Sequence, residues 1–369
     1  MKKLFEKLTL NGKLTLKNRI VMAPMTTWSS NDDYTISDQE VSYYQARNQG
    51  VGLIITGCTH VQENGIAFTH EFAGFDDRFI PSLKKLADAA KTKGAKAILQ
   101  LNHGGNKALP SLTDDIVSSS IVPTQATAFA PSVTPRALSN EEIEEIIKAF
   151  GQATRRAIEA GFDGIEIHGA HGFLIQQFLS PHFNKRTDKW GGSLENRMRF
   201  ALEVIKEIQS VIAASGKKDF ILGYRISPDE PIEDGLKVSD TLALTEELIT
   251  LGIDYLHTSL FVAYDTKVPN DDRTYVQVFA QKLKGRIPLI SAGTIQTPEQ
   301  AQLVLEQGAD FVAVGHALIT DPSWVEKAAT NQSNNIQLSI KKSKITSLVL
   351  PDLLWEQLQA MDTWFTIEE

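Results

Sequence analysis

The chain has 369 residues, with 37 lysines and arginines against 45 aspartates and glutamates. The resulting formal charge of −8 argues against nonspecific nucleic-acid binding, which needs a basic face. Its 42% hydrophobic and 22% charged residues exclude intrinsic disorder and supply a large core. A single cysteine, Cys58, excludes an intramolecular disulfide, a cysteine-rich zinc site and a cysteine-ligated iron–sulfur cluster. The most apolar stretches fall far short of the roughly 18 residues a membrane span needs. Glu6 and Lys7 interrupt what a signal peptide would keep apolar, so a reducing, cytoplasmic setting without membrane contact is expected.

Residues 8–16, LTLNGKLTL, place two alternating runs around Asn11-Gly12, a hairpin signal. Residues 1–18 are therefore expected to plug the bottom of whatever sheet follows. Eight short apolar runs come next, near 19–25, 51–57, 95–101, 163–168, 220–226, 253–258, 287–293 and 309–315. They are nearly continuous rather than alternating, as parallel strands buried on both faces are. Amphipathic helices with legible ends lie between them. Ser139 with Glu142 reads as a capping box for a helix closed by Gly161, and Thr297-Pro298 opens another that ends before Gly308. A Gly-X-Asp repeat, at Gly161-Asp163, Gly252-Asp254 and Gly308-Asp310, stands each time between a helix and a strand. Although the length alone allows two or three domains, eight regular strand–helix units favour one closed (β/α)8 TIM barrel over a doubly wound sheet.

Residues 102–138, Pro/Ser/Thr-rich, are too long for a plain connection after the third strand and are expected to shape a binding site. The C-terminal extension from 330 to 369 holds an amphipathic segment with Trp355 and Trp364, expected to pack on the outside of the barrel rather than to recruit a partner.

In a barrel, chemistry sits at the C-terminal strand ends. There the first strand carries Ala23, Pro24, Met25 and Thr26, with Trp28 beyond; the second Cys58; the third Gln100; the fourth His168 and His171; the fifth Arg225; the sixth His257; the seventh Gly293; the eighth Gly315 and His316. Two imidazoles leaving one strand end can bind a metal, relay a proton or donate hydrogen bonds to an oxygen. Zinc would require a third ligand, and Glu166 shares the strand face with His168. Arg225 in a buried strand must meet an anion, either a structural carboxylate or a ligand. Gly293 and Gly315 mark the usual phosphate-holding corner of such barrels. No lysine ends the sixth strand, which disfavours a Schiff-base aldolase.

Four segments, KNRIVMAPMTTWSS, ILQLNHGGNKA, EAGFDGIEIHGAHGFLIQQFLSPHFNKRTDKWGGSLENRMRF and FVAVGHALITDP, closely resemble the signatures of the old yellow enzyme family, and nearest to them the bacterial NADH-dependent flavin oxidoreductases. The resemblance spans nearly the whole chain. It implies FMN across the barrel mouth, with its phosphate near Gly293 and Gly315 and its pyrimidine edge on Gln100. It implies Arg225 beside the N1/C2 region, the Ala23–Pro24–Met25 backbone against the ring, and the Thr26 hydroxyl near the C4 oxygen. His168 and His171 would grip the oxygen of a small electrophile, an activated alkene, quinone or nitro compound. Hydride would come from NADH or NADPH in alternating half-reactions, and no metal is implied. Family members range from monomers to tetramers, so a homo-oligomer is allowed.

The sequence departs from the family pattern at four positions. Phe173 stands where a tyrosine usually protonates carbon, and His316 where an arginine usually meets the phosphate. Trp28 replaces a tyrosine in the substrate wall, and Cys58 replaces a smaller residue against the flavin. Two rival functions predict different behaviour: a non-catalytic FMN or ligand sensor, yellow but without turnover, and a flavin-independent, phosphate-binding isomerase or aldolase, which would be colourless.

Overall fold

The computed structural model describes residues 2–126, 131–361 and 364–369. Eight parallel strands close into one ring: β1 (Ile20–Met22), β2 (Leu53–His60), β3 (Lys96–Asn102), β4 (Gly164–Gly169), β5 (Ile221–Ile226), β6 (Tyr255–Ser259), β7 (Leu289–Ala292) and β8 (Phe311–Val314). Each strand pairs with its neighbours in sequence, and β1 pairs with both β2 and β8, which closes the barrel. Nearly every strand residue is buried, so the continuous apolar runs reflect contact with the interior on one face and with helices on the other.

Around the ring lie α1 (Asp38–Arg47), α2 (Ile80–Lys91), α3 (Asn140–Glu159), a short α4 (Leu174–Leu179), α5 (Leu194–Ser215), α6 (Val238–Leu251), α7 (Tyr275–Leu283) and α8 (Pro298–Glu306). Ser139 and Glu142 form the expected capping box on α3, with reciprocal bonds of 3.2 and 2.7 Å. Gly161, at φ 84°, lets the chain leave that helix in a left-handed turn. Thr297 and Gln300 cap α8 in the same way, with Pro298 in its first turn.

The Gly-X-Asp repeat also stitches strands together. Asp163, Asp254 and Asp310 each accept a 2.9 Å hydrogen bond from the backbone N–H of Ala97, Leu222 and Leu289, respectively, on the preceding strand. Their own N–H groups donate back to the carbonyls of those same residues. Each aspartate thus fixes the register of one strand pair at the bottom of the barrel.

The N-terminal hairpin pairs Leu8–Leu10 with Leu14–Leu16 through Asn11 and Gly12, both at positive φ as a tight hairpin turn requires. Leu10, Leu14 and Leu16 enter the lower barrel against Leu53, Ile98, Ile221 and Phe311, stabilising it by roughly 2 kcal/mol each. Asn11 and Lys13 bind Asp254 at 2.9 and 2.8 Å, so the plug is tied to the same aspartate that registers β5 and β6.

Within the 102–138 insertion, Val117–Ser118 pairs with Arg136–Ala137, and Arg136 bridges Asp115 and Glu142. Residues 127–130 of the insertion lie outside the described residues. After β8 come α9 (His316–Thr320), α10 (Trp324–Ala329), α11 (Ile345–Leu348) and α12 (Asp352–Ala360), whose Leu354 and Leu358 are buried. Residues 362–363 of the extension are likewise outside the described residues; beyond them, Ile367–Glu368 pairs with Ile340–Lys341. Among the described residues no helix is long and apolar enough to cross a membrane.

Candidate active site

Above the apolar layer the barrel interior turns polar on one side only. Glu166, from β4, is fully buried. Its carboxylate accepts hydrogen bonds from Gln100 Nε2 at 2.7 Å, Tyr255 OH at 2.9 Å and His257 Nδ1 at 2.9 Å. Burial opposes its charge, but His257, Arg225 and these donors outweigh that and hold the carboxyl below the usual range. Burial, with some help from Arg225, outweighs the opposing pull of Glu166 and holds His257 below the ordinary imidazole range, which leaves the ring neutral. With Nδ1–H given to Glu166, its Nε2 is a buried acceptor that has no partner.

Arg225 sits one step closer to the mouth. Its Nη2 donates to Ser259 Oγ at 3.0 Å, while Nε, also buried, has no partner. Among the described residues no carboxylate lies within ion-pair distance of it. A structural salt bridge, one of the two readings the sequence allowed, is therefore not how this charge is satisfied. Cys58 lies 3.5 Å from Gln100 Oε1. Burial, and then Glu71, push its thiol well up, so it stays protonated and is a packing group rather than a nucleophile.

β4 ends at Gly169, and the chain then turns through His171 (φ 57°) and Gly172 (φ 72°), which brings the second imidazole back over the first. The His168 and His171 ring centroids are 5.0 Å apart. His168 Nδ1 accepts from the Ala170 N–H at 3.3 Å, so the neutral ring carries its proton on Nε2. His171 is placed by Ser227 Oγ, which accepts its N–H at 2.9 Å, and by Ser259 Oγ, 2.7 Å from Nε2. Lys107 Nζ holds its carbonyl at 2.6 Å. Desolvation comes first, followed for His168 by His171 and for His171 by Arg225; both rings are held well below their usual range and donate as neutral imidazoles.

The opposite side of the mouth is built from small groups. Ala23, Ala292 and Ala313 are buried there. A Cβ on Gly293 would lie 2.7 Å from the Leu260 carbonyl, and its φ of +155° suits glycine alone; one on Gly315 would come within 3.2 Å of Met25 Sδ. Three alanines and two glycines at these strand ends thus face the polar groups carried by β3–β6.

An aromatic rim follows the edge of the mouth. From His168 it passes to Phe173 (4.7 Å between centroids), Phe68 (6.0 Å), Trp28 (5.6 Å), Trp364 (5.9 Å) and His316 (5.1 Å). Phe365 lies 4.6 Å from His316 on its other side. Part of the C-terminal extension thus reaches the mouth instead of only covering the outside of the barrel. Burial keeps His316 below the usual imidazole range, so it adds no positive charge to this corner.

The structure brings Ala23, Met25, Cys58, Gln100, His168, His171, Phe173, Arg225, Gly293, Gly315, His316 and Trp28 to one end of the barrel. Pro24 and Thr26 follow β1 there. Sequence reasoning passed over Ser259, Ser227, Lys107, Phe68 and Tyr255, and it named Gln100 and His257 without their bonds to Glu166. Ser259 was within reach, because it alternates with His257 on the same strand face. Among the described residues no group of three or more His, Cys, Asp or Glu side chains could hold a metal ion, and Glu166 has both oxygens engaged.

The profile of the NADH:flavin oxidoreductase / NADH oxidase family matches residues 3–335. A probable NADH-dependent flavin oxidoreductase of Bacillus subtilis, YqiG, is 41% identical over 367 residues, covering 98% of this chain and 97% of that protein. An NADH:acrylate oxidoreductase of Vibrio harveyi is 39% identical over 98% of this chain, but the chain spans only 36% of that longer protein. Among solved structures, an old yellow enzyme homologue from Zymomonas mobilis superposes with a TM-score of 0.78 at 26% identity, covering 89% of this chain and 93% of the other.

Proposed function

Because the chain belongs to the NADH:flavin oxidoreductase / NADH oxidase family, we propose that the polar groups left without partners at its barrel mouth hold FMN, and that the histidine pair holds the acceptor. The chain is an FMN-dependent oxidoreductase: bound FMN would supply hydride transfer between NADH or NADPH and a small electrophile.

The observation that carries the assignment of residues is Arg225, a buried guanidinium with an unpartnered Nε and no carboxylate against it. Such a charge is costly unless a ligand answers it. Its surroundings fit FMN. The Gln100 amide can meet a donor–acceptor edge, the alanine and glycine floor can take a flat ring, and Gly293 and Gly315 leave backbone exposed for a phosphate. The backbone at Ala23, Pro24 and Met25, the Thr26 hydroxyl and the Cys58 thiol would line the ring. His316, neutral and enclosed by Trp364 and Phe365, would contribute a hydrogen bond there rather than charge.

His168 and His171 would donate two hydrogen bonds to the acceptor oxygen, drawing electron density from the atom that receives hydride. Phe173, edge-on to His168, and Trp28 would form its apolar wall. Phe173 has no proton to give. Quinones and nitro compounds, whose reduction needs no proton placed on carbon, should therefore be reduced faster than enones. The reading is of a single-domain cytoplasmic enzyme whose partner is a small molecule, with neither nucleic acid nor membrane involved. Turnover of 2-cyclohexenone beside a simple quinone tests the acceptor preference. A faster quinone, and an enone slowed in deuterium oxide, are expected; fast enone turnover insensitive to deuterium oxide would overturn it.

A further inference from the structure

We propose that Glu166 is a positioning residue for the flavin: its buried carboxylate fixes which way the Gln100 amide faces and sets the negative charge that Arg225 works against. This rests on the assignment of FMN to the mouth.

The two ends of a glutamine amide have nearly the same shape and opposite chemistry, so something must decide its orientation. An ionised carboxylate can only accept. At 2.7 Å from Glu166 Oε1, Gln100 must present Nε2 to it. Its Oε1 then faces away, where the Cys58 thiol lies at 3.5 Å. A flavin pyrimidine edge carries one N–H donor between two carbonyl acceptors. An amide held with its oxygen outward can accept from that N–H and still use its second N–H on a carbonyl; a flipped amide would set donor against donor.

Glu166 is itself fixed from the far side of the barrel. Tyr255 OH and His257 Nδ1–H, both on β6, occupy its other oxygen at 2.9 Å each. Gln100 is on β3 and Glu166 on β4, so the chain of bonds crosses the interior from the third strand to the sixth. No solvent reaches Glu166, so the orientation is not averaged by water. Arg225 is near enough to feel the charge yet makes no direct ion pair with it, and keeps Nε free. The carboxylate therefore moderates the positive field at the mouth without consuming the guanidinium.

A purely structural role would predict lost folding stability alone. The positioning role predicts changes in how the full-length protein holds FMN. Apoprotein of wild type, Glu166→Gln and Glu166→Asp is titrated with FMN by fluorescence quenching, the two-electron midpoint is measured spectroelectrochemically, and melting is followed in parallel. Glu166→Gln, able to offer either an oxygen or an NH2, frees the Gln100 amide and should weaken FMN binding about tenfold. Removing the negative charge should also favour the reduced over the oxidised form about tenfold, a rise of about 30 mV for a two-electron couple. Glu166→Asp keeps the charge but draws it back from Gln100, so affinity should fall with the midpoint nearly unchanged.

A folded Glu166→Gln protein with wild-type affinity and midpoint would overturn the inference. Should neither variant fold, Tyr255→Phe removes one donor to Glu166 without leaving a cavity. It should weaken FMN binding two- to fivefold with a modest fall in melting temperature, and unchanged FMN binding would overturn the inference. A wild-type apoprotein that takes up no FMN would instead overturn the flavin assignment itself.

Discussion

The bottom and the mouth of this barrel are made from the same eight strands and treat polar groups in opposite ways. At the bottom, Asp163, Asp254 and Asp310 spend their oxygens on the backbone of neighbouring strands, and Asn11 and Lys13 of the plug close on Asp254. At the mouth, Arg225 Nε and His257 Nε2 are buried without partners, and two glycines stand where side chains would fill the floor. Unpartnered buried atoms occur elsewhere in the molecule too, Tyr43 OH and Trp190 Nε1 among them, but at the mouth one belongs to a charged guanidinium with no carboxylate against it. Polar groups at one end serve the fold, and those at the other serve a ligand.

If that division is right, substitutions at the two ends should have separable effects. The largest is expected at the histidine pair. His168→Ala combined with His171→Ala should lower acceptor kcat/KM about a thousandfold, roughly 4 kcal/mol, with FMN content unchanged. Steady-state kinetics with a quinone reads this, and unaltered turnover would show that the acceptor oxygen lies elsewhere.

At the bottom, Asp254→Ala leaves the Leu222 N–H, Asn11 and Lys13 without their acceptor. Denaturant unfolding of the holoprotein should show a loss of about 3 kcal/mol, with FMN affinity within twofold of wild type. A weakened FMN site in that variant would mean that the two ends are not separate.

The smallest effect per residue is a dependence on pH. Burial, and then His103, hold His60 down at about 3, and burial does the same to His103. Unfolded rings protonate near 6.5 while the folded ones stay neutral, so their contribution is present above that pH and lost as pH falls toward 3. By pH 5 each ring should cost roughly 2 kcal/mol. Thermal melting from pH 7 to 5 reads the sum, and His60→Gln should flatten the slope.

The end that serves the fold was largely legible in the sequence. Buried parallel strands are contiguous and apolar, and glycine closes several of the helices between them, α3, α5, α6 and α8 among them, so all eight strands could be read from short windows. The aspartates of the Gly-X-Asp repeat were visible as punctuation, but their bonds to the next strand over were not. The mouth was legible as strand-end residues, yet its connections were not. Glu166 meets Gln100, Tyr255 and His257 at separations of 66, 89 and 91 residues, which no local periodicity encodes. Trp364 is a similar case: its segment is amphipathic and reads as an outer helix, whereas its contacts with Trp28 and His316 arise only once the barrel has closed.

The division rests most heavily on Arg225, so the most direct measurement is FMN titration of wild-type and Arg225→Leu apoprotein, with melting followed on the same samples. Wild type should turn yellow and bleach anaerobically with one equivalent of NADH. The variant should lose about a hundredfold in FMN affinity, with an apoprotein melting temperature equal to or above that of wild type, because an unpaired buried charge has been removed. A variant that binds FMN as wild type does, or one whose apoprotein melts far lower, would contradict the assignment of that charge to the ligand.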